Sequence, residues 1–306
     1  MSIGVFEKDG CLPLTINELI EEYLSLRFKR NQEISSDIDI PNESIKKIAK
    51  AIAFKVRFEK ERNKISLDEA QEFVGNVFRK LKKCIFGLDA INSVQAFRLL
   101  EHYEIIKITS DDFVNFEHDV VLDYLASEDL SKKWESYRNT IKESRVYDAV
   151  WIYASSQISV EQQNSFLEFV TEIDLLLCAV CALEMGEKGI AIAEDLIINK
   201  YEKNNSELKS WRRLLSLGTL GTKNCIDYLK KCLSKTEPLY NKDRHYEDHR
   251  IKIALAMSGD EEFLSEIFPQ VERELPFVSG GILSIWEKAP INIQLKLAKK
   301  TDRKSK

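Results

Sequence analysis

A chain of 306 residues exceeds the size at which one hydrophobic core stops growing, so two or three folding units are expected. Its composition is 44% hydrophobic and 31% charged with a net charge of −5, which excludes a disordered or membrane-embedded protein and disfavours one whose task is to clamp a phosphate backbone. Only 11 glycines and 6 prolines are present, which favours an all-helical or nearly all-helical fold.

The sequence carries no sign of export or of membrane insertion. The opening "MSIGVFEKDG" lacks the basic stretch and apolar core of a signal peptide. The longest apolar run, "LLLCAVCALEM", is far shorter than the ~20 residues that cross a bilayer. Six cysteines without secretory context predict reduced thiols. We therefore expect a cytoplasmic protein that has no membrane partner.

The first predicted helix covers about residues 16–30. It begins at Thr15 and Glu18, whose spacing is that of a capping box, in which each side chain satisfies a free backbone N–H of the other residue. The polar connection "NQEISSDIDIPNES" follows this helix. Residues 1–40 are interpreted as the end of a helical domain and a linker.

Three amphipathic helices are predicted next. The first begins near Pro41, which suits an initial helical turn, and repeats an apolar face at helical spacing as far as Val56. The second begins at another capping box, formed by Ser66 and Glu69. The third covers residues 90–102.

A β-hairpin and a further helix complete this unit. "EIIKI" and "FVNF" are rich in β-branched and aromatic residues, and the turn-forming "TSDD" separates them. A helix then begins near Asp119, and its predicted inward face comprises Val120, Leu122, Tyr124 and Leu125. Three helices, a hairpin and a closing helix are typical of a winged-helix domain, which we place at residues 41–129.

Helical pairs recur in residues 130–306. In "CALEMGEKGIAIAEDLI" and two later segments, a small apolar helix ends at a glycine and an amphipathic helix follows. The glycines are Gly186, Gly221 and Gly259, at steps of 35 and 38 residues, and the segment at Trp151 fits one step earlier with serine in place of glycine. Such spacing predicts a HEAT-like α-helical solenoid, whose hairpins stack to cover their apolar faces. An irregular helical bundle is the alternative.

No catalytic motif is present in these 306 residues. The sequence has no G-x-x-x-x-G-K-[ST] phosphate loop, no G-x-S-x-G nucleophile elbow and no H-E-x-x-H metal helix. Its acidic pairs, such as Asp111 with Asp112, are adjacent in sequence and therefore point in different directions. We expect no enzymatic activity from this chain alone.

The best candidate for a metal site is a set of two cysteines and two histidines, namely Cys225, Cys232, His245 and His249. The H-x3-H spacing matches the later part of a zinc finger. The six residues between the cysteines do not, because a zinc knuckle needs cysteines two to four residues apart on a tight turn. The cysteines are interpreted as buried thiols, and no metal is expected.

The third predicted helix, "AINSVQAFRLLEHY", is poorly suited to reading DNA. It offers mainly Arg98, with Asn92 and Gln95, and it carries the acidic Glu101 near its end. A winged helix used as a packing module is therefore favoured, and a nucleic-acid-binding regulator remains an alternative.

His118 stands between the hairpin and the following helix, where free backbone N–H groups favour an anion. The stretch "VNFEHDVVLDYLAS" resembles the winged-helix segment of NACHT-type STAND nucleoside triphosphatases. In that family an aromatic residue, a variable residue and a histidine precede a helix that carries tyrosine or phenylalanine and then alanine. The matching positions here are Phe116, His118, Tyr124 and Ala126. "CLPLTINELIEEYLSLRF" is also similar to the family's last helical-domain segment.

The resemblance implies a function. His118 would contact nucleotide phosphates and hold the resting state closed, and ATP or ADP would bind only with a nucleotide-binding core that these 306 residues do not encode. The partner would be that core or another protein bound by the helical repeats, in antiviral or immune-like signalling. Candidate partner contacts in the repeats are Trp134, Trp151, Trp211, Tyr240 and His245. The alternative is a helical-repeat scaffold without nucleotide linkage.

Overall fold

The computed structural model describes residues 16–32, 42–59, 64–82, 93–139, 147–200, 207–234, 242–260 and 262–263. This part of the chain is mainly α-helical, with twelve α-helices and one three-stranded sheet, as the low glycine and proline content predicted. It divides into two units, residues 1–158 and 159–306. No helix within the described ranges is both long and apolar enough to cross a bilayer.

The first unit combines helices with the sheet. Its helices are α1 (Ile16–Gln32), α2 (Asn42–Phe54), α3 (Leu67–Lys82), α4 (Ser93–His102), α5 (Asp119–Lys133) and α6 (Asp148–Ser155). Its strands are β1 (Lys64–Ser66), β2 (Ile106–Ile108) and β3 (Phe113–Phe116). A π-helical turn, Lys55–Glu59, follows α2, and a 3-10 turn, Trp134–Tyr137, follows α5.

The described residues of the second unit form helices and turns, and none of them is in a strand. Its helices are α7 (Gln163–Ile173), α8 (Leu175–Glu184), α9 (Glu187–Asp195), α10 (Glu207–Leu220), α11 (Lys223–Ser234) and α12 (Lys242–Met257). A π-helical turn, Leu196–Lys200, continues α9.

The sheet has the order β1-β3-β2, and both pairings are antiparallel. The β2–β3 pair is the predicted hairpin, with Ile106 opposite Phe116. Strand β1, in which Ile65 lies opposite Val114, was not predicted. Its three residues are too few to show an alternating pattern, so only pairing with β3, about fifty residues later, identifies them as a strand.

Helices α2 and α5 form the centre of the first core. The predicted apolar face of α2 is confirmed, since Ile45, Ile48 and Ile52 are fully buried. α2 packs against α5, which also contacts α6 and β3. The predicted inward face of α5 was wrong at Val120, which is 41% exposed, whereas Val121 is buried. Because α5 is covered on several sides, its buried residues from Val121 to Ser127 form no single stripe.

One predicted helix start can be tested directly. At the start of α3, the backbone N–H of Glu69 donates to Ser66 Oγ at 3.4 Å, which is half of the predicted capping box. The other predicted box includes Thr15, which lies outside the described residues, as does most of the predicted linker before Pro41.

The first unit continues past residue 129, where the predicted winged-helix domain ends. α5 extends to Lys133, and α6 packs directly against it. Two tryptophans of this segment, Trp134 just after α5 and Trp151 on α6, are 1% and 0% exposed. The contact between α5 and α6 therefore places residues up to Ile158 in the first unit.

In the second unit, alternate helices pack on one another. α8 packs against α10 and α10 against α12, while α9 lies against α8, and α11 lies against α10 and α12. The three aligned glycines follow the ends of α8, α10 and α12, and all have positive φ: 77° at Gly186, 62° at Gly221 and 89° at Gly259. The predicted helix ends at these glycines are confirmed. Glycine suits these positions, because other residues rarely adopt a positive φ.

Candidate functional site

His118 precedes the first residue of α5 with an extended backbone, at φ −136° and ψ 130°. Its carbonyl oxygen accepts hydrogen bonds from the N–H groups of Val121 at 3.0 Å and Leu122 at 3.1 Å. The imidazole is exposed and makes no hydrogen bond that caps its own helix. The backbone of His118 therefore begins the helix, while its side chain lies at the surface.

An aromatic ring of α1 contacts this imidazole. The ring of Tyr23, on α1, lies edge-on to His118 with the ring centroids 5.9 Å apart. Arg27 donates from Nε to the Tyr23 hydroxyl at 3.1 Å, and its guanidinium lies 5.2 Å from the centre of the Tyr23 ring. Arg27 also pairs with Glu104, which follows α4.

Polar contacts hold α1 in place beside α5. Glu21 accepts a hydrogen bond from the buried Tyr124, and the Lys46 ammonium lies 3.3 Å from its carboxylate. The Tyr124 bond and the Lys46 charge lower the pKa of Glu21. Burial, followed by the bond to Glu21, raises the pKa of Tyr124. Asn17 adds a 2.7 Å hydrogen bond from its amide to Ser156.

An ion pair is buried at Asp123, the residue before Tyr124 on α5. Arg57, in the π-helical turn, lies 2.6 Å from Asp123, and their side chains are 9% and 7% exposed. Burial raises the pKa of Asp123 to about 6, although the Arg57 charge opposes the increase. This pair was not predicted from the sequence. An aspartate within the otherwise apolar "VVLDYLA" was the available signal, because such a residue needs a buried partner.

The structure corrects two of the predicted partner contacts. Trp134 and Trp151 are core residues, so neither indole presents a surface to another protein. Trp151 lies on α6, which packs against α5, and the sequence alone did not reveal this contact. Trp211 is half-buried on α10, where the Arg250 guanidinium lies 5.5 Å from its ring.

The two remaining predicted contacts cannot be located in the same way. Tyr240 lies outside the described residues. His245 lies on α12, but its side chain is outside the described part of the structure.

The cysteines considered for a metal site lie on α11. Cys225 is buried, and burial raises the pKa of its thiol to about 11. Its backbone N–H donates to Thr222 Oγ1 at 3.1 Å, which caps the helix. Cys232 is only half-buried on the same helix. Within the described ranges, no group of three or more histidine, cysteine, aspartate or glutamate side chains could hold a metal ion.

Charged side chains on α10 connect the helical pairs of the second unit. Arg212 pairs with Asp174, which also caps α8 by accepting from the N–H groups of Leu176 and Leu177 at 2.8 and 2.9 Å. Arg213 donates to the carbonyl oxygens of Ile197 at 3.1 Å and Ile198 at 2.8 Å, at the end of the turn after α9. These arginines therefore satisfy backbone and carboxylate groups of the preceding pair.

The exposed side chains around α4 and the β2–β3 turn include charges of both signs. Arg98 is exposed on α4, but Glu101 is exposed on the same helix. Asp111 and Asp112 are exposed in the turn between β2 and β3. These carboxylates would repel a polyanion that approached the hairpin.

Comparison of the sequence with protein-family models and curated proteins, and of the structure with solved structures, gives no match.

Proposed function

We propose that this chain is a non-catalytic regulatory arm of a NACHT-like STAND nucleoside triphosphatase, acting in the cytoplasm. In this proposal the first unit contains a winged helix and the second is a HEAT-like solenoid. The nucleotide would be bound by a core domain supplied by another segment or subunit, and the second unit would bind a protein partner, in antiviral or immune-like signalling.

The element order supports the winged helix. The chain runs α2, β1, α3, α4, β2, β3, and β3 lies between β1 and β2. A winged helix combines three helices with a small antiparallel sheet in this order. The exposed acidic side chains near α4 and in the hairpin favour its use as a packing module rather than as a reader of DNA.

The stacking of the second unit supports the solenoid. Helices α8, α10 and α12 pack in sequence, and each ends at a glycine with positive φ. Glu194, on α9, accepts hydrogen bonds from Thr222 and from Asn224 at the start of α11. Contacts between successive helical pairs are the defining feature of solenoid repeats.

The exposure of the His118 imidazole is the observation that carries the nucleotide-linked part of the proposal. Because the side chain does not cap α5, it is available to a group outside this chain. The N-terminus of a helix favours negative charge, so a phosphate placed there would gain the imidazole as an additional donor. Tyr23 limits the orientation of the ring from one side.

The test is nucleotide binding in a complex of this chain with its nucleotide-binding core. The full chain is co-expressed with the phosphate-loop protein or segment encoded next to it, and ADP affinity is measured on the purified complex. Loss of one charge-assisted hydrogen bond in His118→Ala should weaken ADP binding by about tenfold.

His102→Ala is the matched control, because His102 is an exposed histidine on α4 that lies against Tyr103. It should leave ADP affinity unchanged. Equal ADP affinity of the wild-type and His118→Ala complexes would refute the nucleotide contact. Salt-sensitive DNA binding by the chain that is lost in Arg98→Ala would instead favour the nucleic-acid-binding alternative.

A further inference from the structure

Helix α4 ends in a backbone conformation that usually requires glycine. Glu104, the second residue after the helix, has φ 53°. Its N–H donates to the carbonyl oxygen of Glu101 at 2.9 Å, and the N–H of Ile105 donates to that of Leu100 at 3.0 Å. These two hydrogen bonds form a Schellman motif, in which the residue at the position of Glu104 has a left-handed backbone and is most often glycine.

The end of α12 shows the same motif with the expected residue. Gly259, also the second residue after its helix, has φ 89°. Its N–H donates to Ala256 at 3.1 Å, and the N–H of Asp260 donates to Leu255 at 3.2 Å. Glycine adopts this conformation without the steric cost that a β-carbon adds. The glutamate after α4 is therefore unfavourable for the backbone, so its side chain is the part of the residue that can account for its presence.

The Glu104 carboxylate pairs with Arg27 on α1. Beside this ion pair, the buried rings of Phe28 and Tyr103 have centroids 5.4 Å apart and are nearly perpendicular. The Glu104 side chain is nevertheless 59% exposed. Because an ion pair this exposed stabilises a protein only weakly, stability alone does not explain the glutamate.

Contacts between side chains lead from this ion pair to His118. Arg27 donates from Nε to the Tyr23 hydroxyl at 3.1 Å, and its guanidinium lies 5.2 Å from the centre of the Tyr23 ring. The Tyr23 ring lies edge-on to His118, with the ring centroids 5.9 Å apart. The carboxylate therefore holds the guanidinium, the guanidinium holds the tyrosine ring, and that ring restricts the imidazole.

We infer that Glu104 is a positioning residue for His118 and acts through Arg27 and Tyr23. Strained backbone conformations concentrate at functional sites, where the surrounding structure holds them in place. Here the strained backbone places a carboxylate that keeps Arg27 on Tyr23, and Tyr23 keeps the imidazole in one orientation at the start of α5. The use of this orientation for a phosphate rests on the proposed function, whereas the orientation itself is a property of this chain alone.

The first experiment is NMR of the full chain with its four histidines labelled in the ring. His118→Ala assigns the His118 signal, and Tyr23→Leu measures the shift that the tyrosine ring causes. Glu104→Gly and Glu104→Gln should each lose most of this shift, because Arg27 is released. Glu104→Gly should unfold at the same urea concentration as the wild type or at a higher one, because glycine suits the left-handed backbone.

Glu101→Gln is the matched control, because Glu101 is an exposed glutamate at the end of the same helix. It should leave the His118 signal unchanged. The inference is overturned if both Glu104 variants keep the wild-type shift. It is also overturned if Glu104→Gly unfolds at a lower urea concentration than the wild type, because stability would then account for the glutamate.

The second experiment measures ADP affinity in the complex with the nucleotide-binding core. Glu104→Gln should weaken ADP binding by about threefold, and it should have no further effect when combined with His118→Ala. An equal effect with and without His118 would overturn the inference, because Glu104 would then act independently of the imidazole. Loss of the NMR shift without loss of ADP affinity would instead refute the nucleotide contact and support the positioning role.

Discussion

At the scale of single residues, the Arg57–Asp123 pair shows how a buried charge constrains this fold. The pair joins the π-helical turn after α2 to α5, two elements that are far apart in sequence. Removing water from both ions costs free energy that their attraction only partly offsets. The raised pKa of Asp123 shows that burial outweighs the charge of Arg57. The pair therefore positions α5 more than it stabilises the protein.

Removing one member of this pair should be strongly destabilising. Asp123→Ala leaves the Arg57 guanidinium buried without its carboxylate, and we expect the free energy of unfolding to fall by about 3–5 kcal/mol. Replacing both residues, as in Arg57→Met with Asp123→Leu, should recover most of this loss. Urea unfolding followed by circular dichroism measures both changes, and a loss in the double variant as large as in Asp123→Ala would contradict the argument.

The same pair predicts a dependence of stability on pH. The pKa of Asp123 is raised from 3.8 to about 6 on folding, so the folded state binds the proton more tightly than the unfolded state does. The stability contributed by this group is present below pH 4 and is lost as the pH rises to about 6. Relative to the Arg57→Met, Asp123→Leu variant, the wild type should therefore lose stability over this interval. Parallel urea titrations across the interval test the sign.

At the scale of elements, two glycines of the second unit have different roles. Gly186 has φ 77° and ψ −161°, a conformation open essentially to glycine alone, and a Cβ added there would meet no atom within 4 Å. Gly218 lies inside α10, where an added Cβ would lie 2.5 Å from the carbonyl oxygen of Ala254. The first glycine permits a backbone turn, and the second permits close packing of α10 on α12.

Alanine at these positions should separate the two effects. Gly186→Ala should cost about 1–3 kcal/mol through backbone strain alone. Gly218→Ala should cost about 1–3 kcal/mol through overpacking, partly offset by the better helix propensity of alanine. Gly218→Ala should increase hydrogen exchange at the facing turn of α12 more than Gly186→Ala does, because only Gly218 contacts that turn. Unchanged unfolding midpoints in both variants would contradict the assigned roles.

At the scale of the whole molecule, the division into two units predicts that damage stays local. Each unit buries its own apolar side chains, so a change inside one should lower the opening free energy of that unit. In hydrogen exchange, Asp123→Ala should accelerate exchange in α2 and α5 but not in α8 or α10. Gly186→Ala should have the opposite pattern. Equal acceleration in both units for either variant would show that they unfold together.

Local patterns in the sequence were sufficient for much of the fold. Helical periodicity predicted α2, and β-branched and aromatic residues around "TSDD" predicted the β2–β3 hairpin. Features that depend on distant neighbours were not predictable in this way. The strand β1 and the burial of Val121 in place of Val120 both follow from packing against residues elsewhere in the chain.

In the candidate site, too, the position of a residue was predictable from the sequence and its distant contacts were not. The position of His118 at the start of α5 followed from the sequence, whereas its contact with Tyr23 depends on the docking of α1. The sequence by itself determined helical content and the ends of helices at glycines, because backbone propensity acts over a few residues. Only the tertiary structure decided that Trp134 and Trp151 are core residues and that Asp123 meets Arg57, because burial and charge pairing depend on which distant segments pack together.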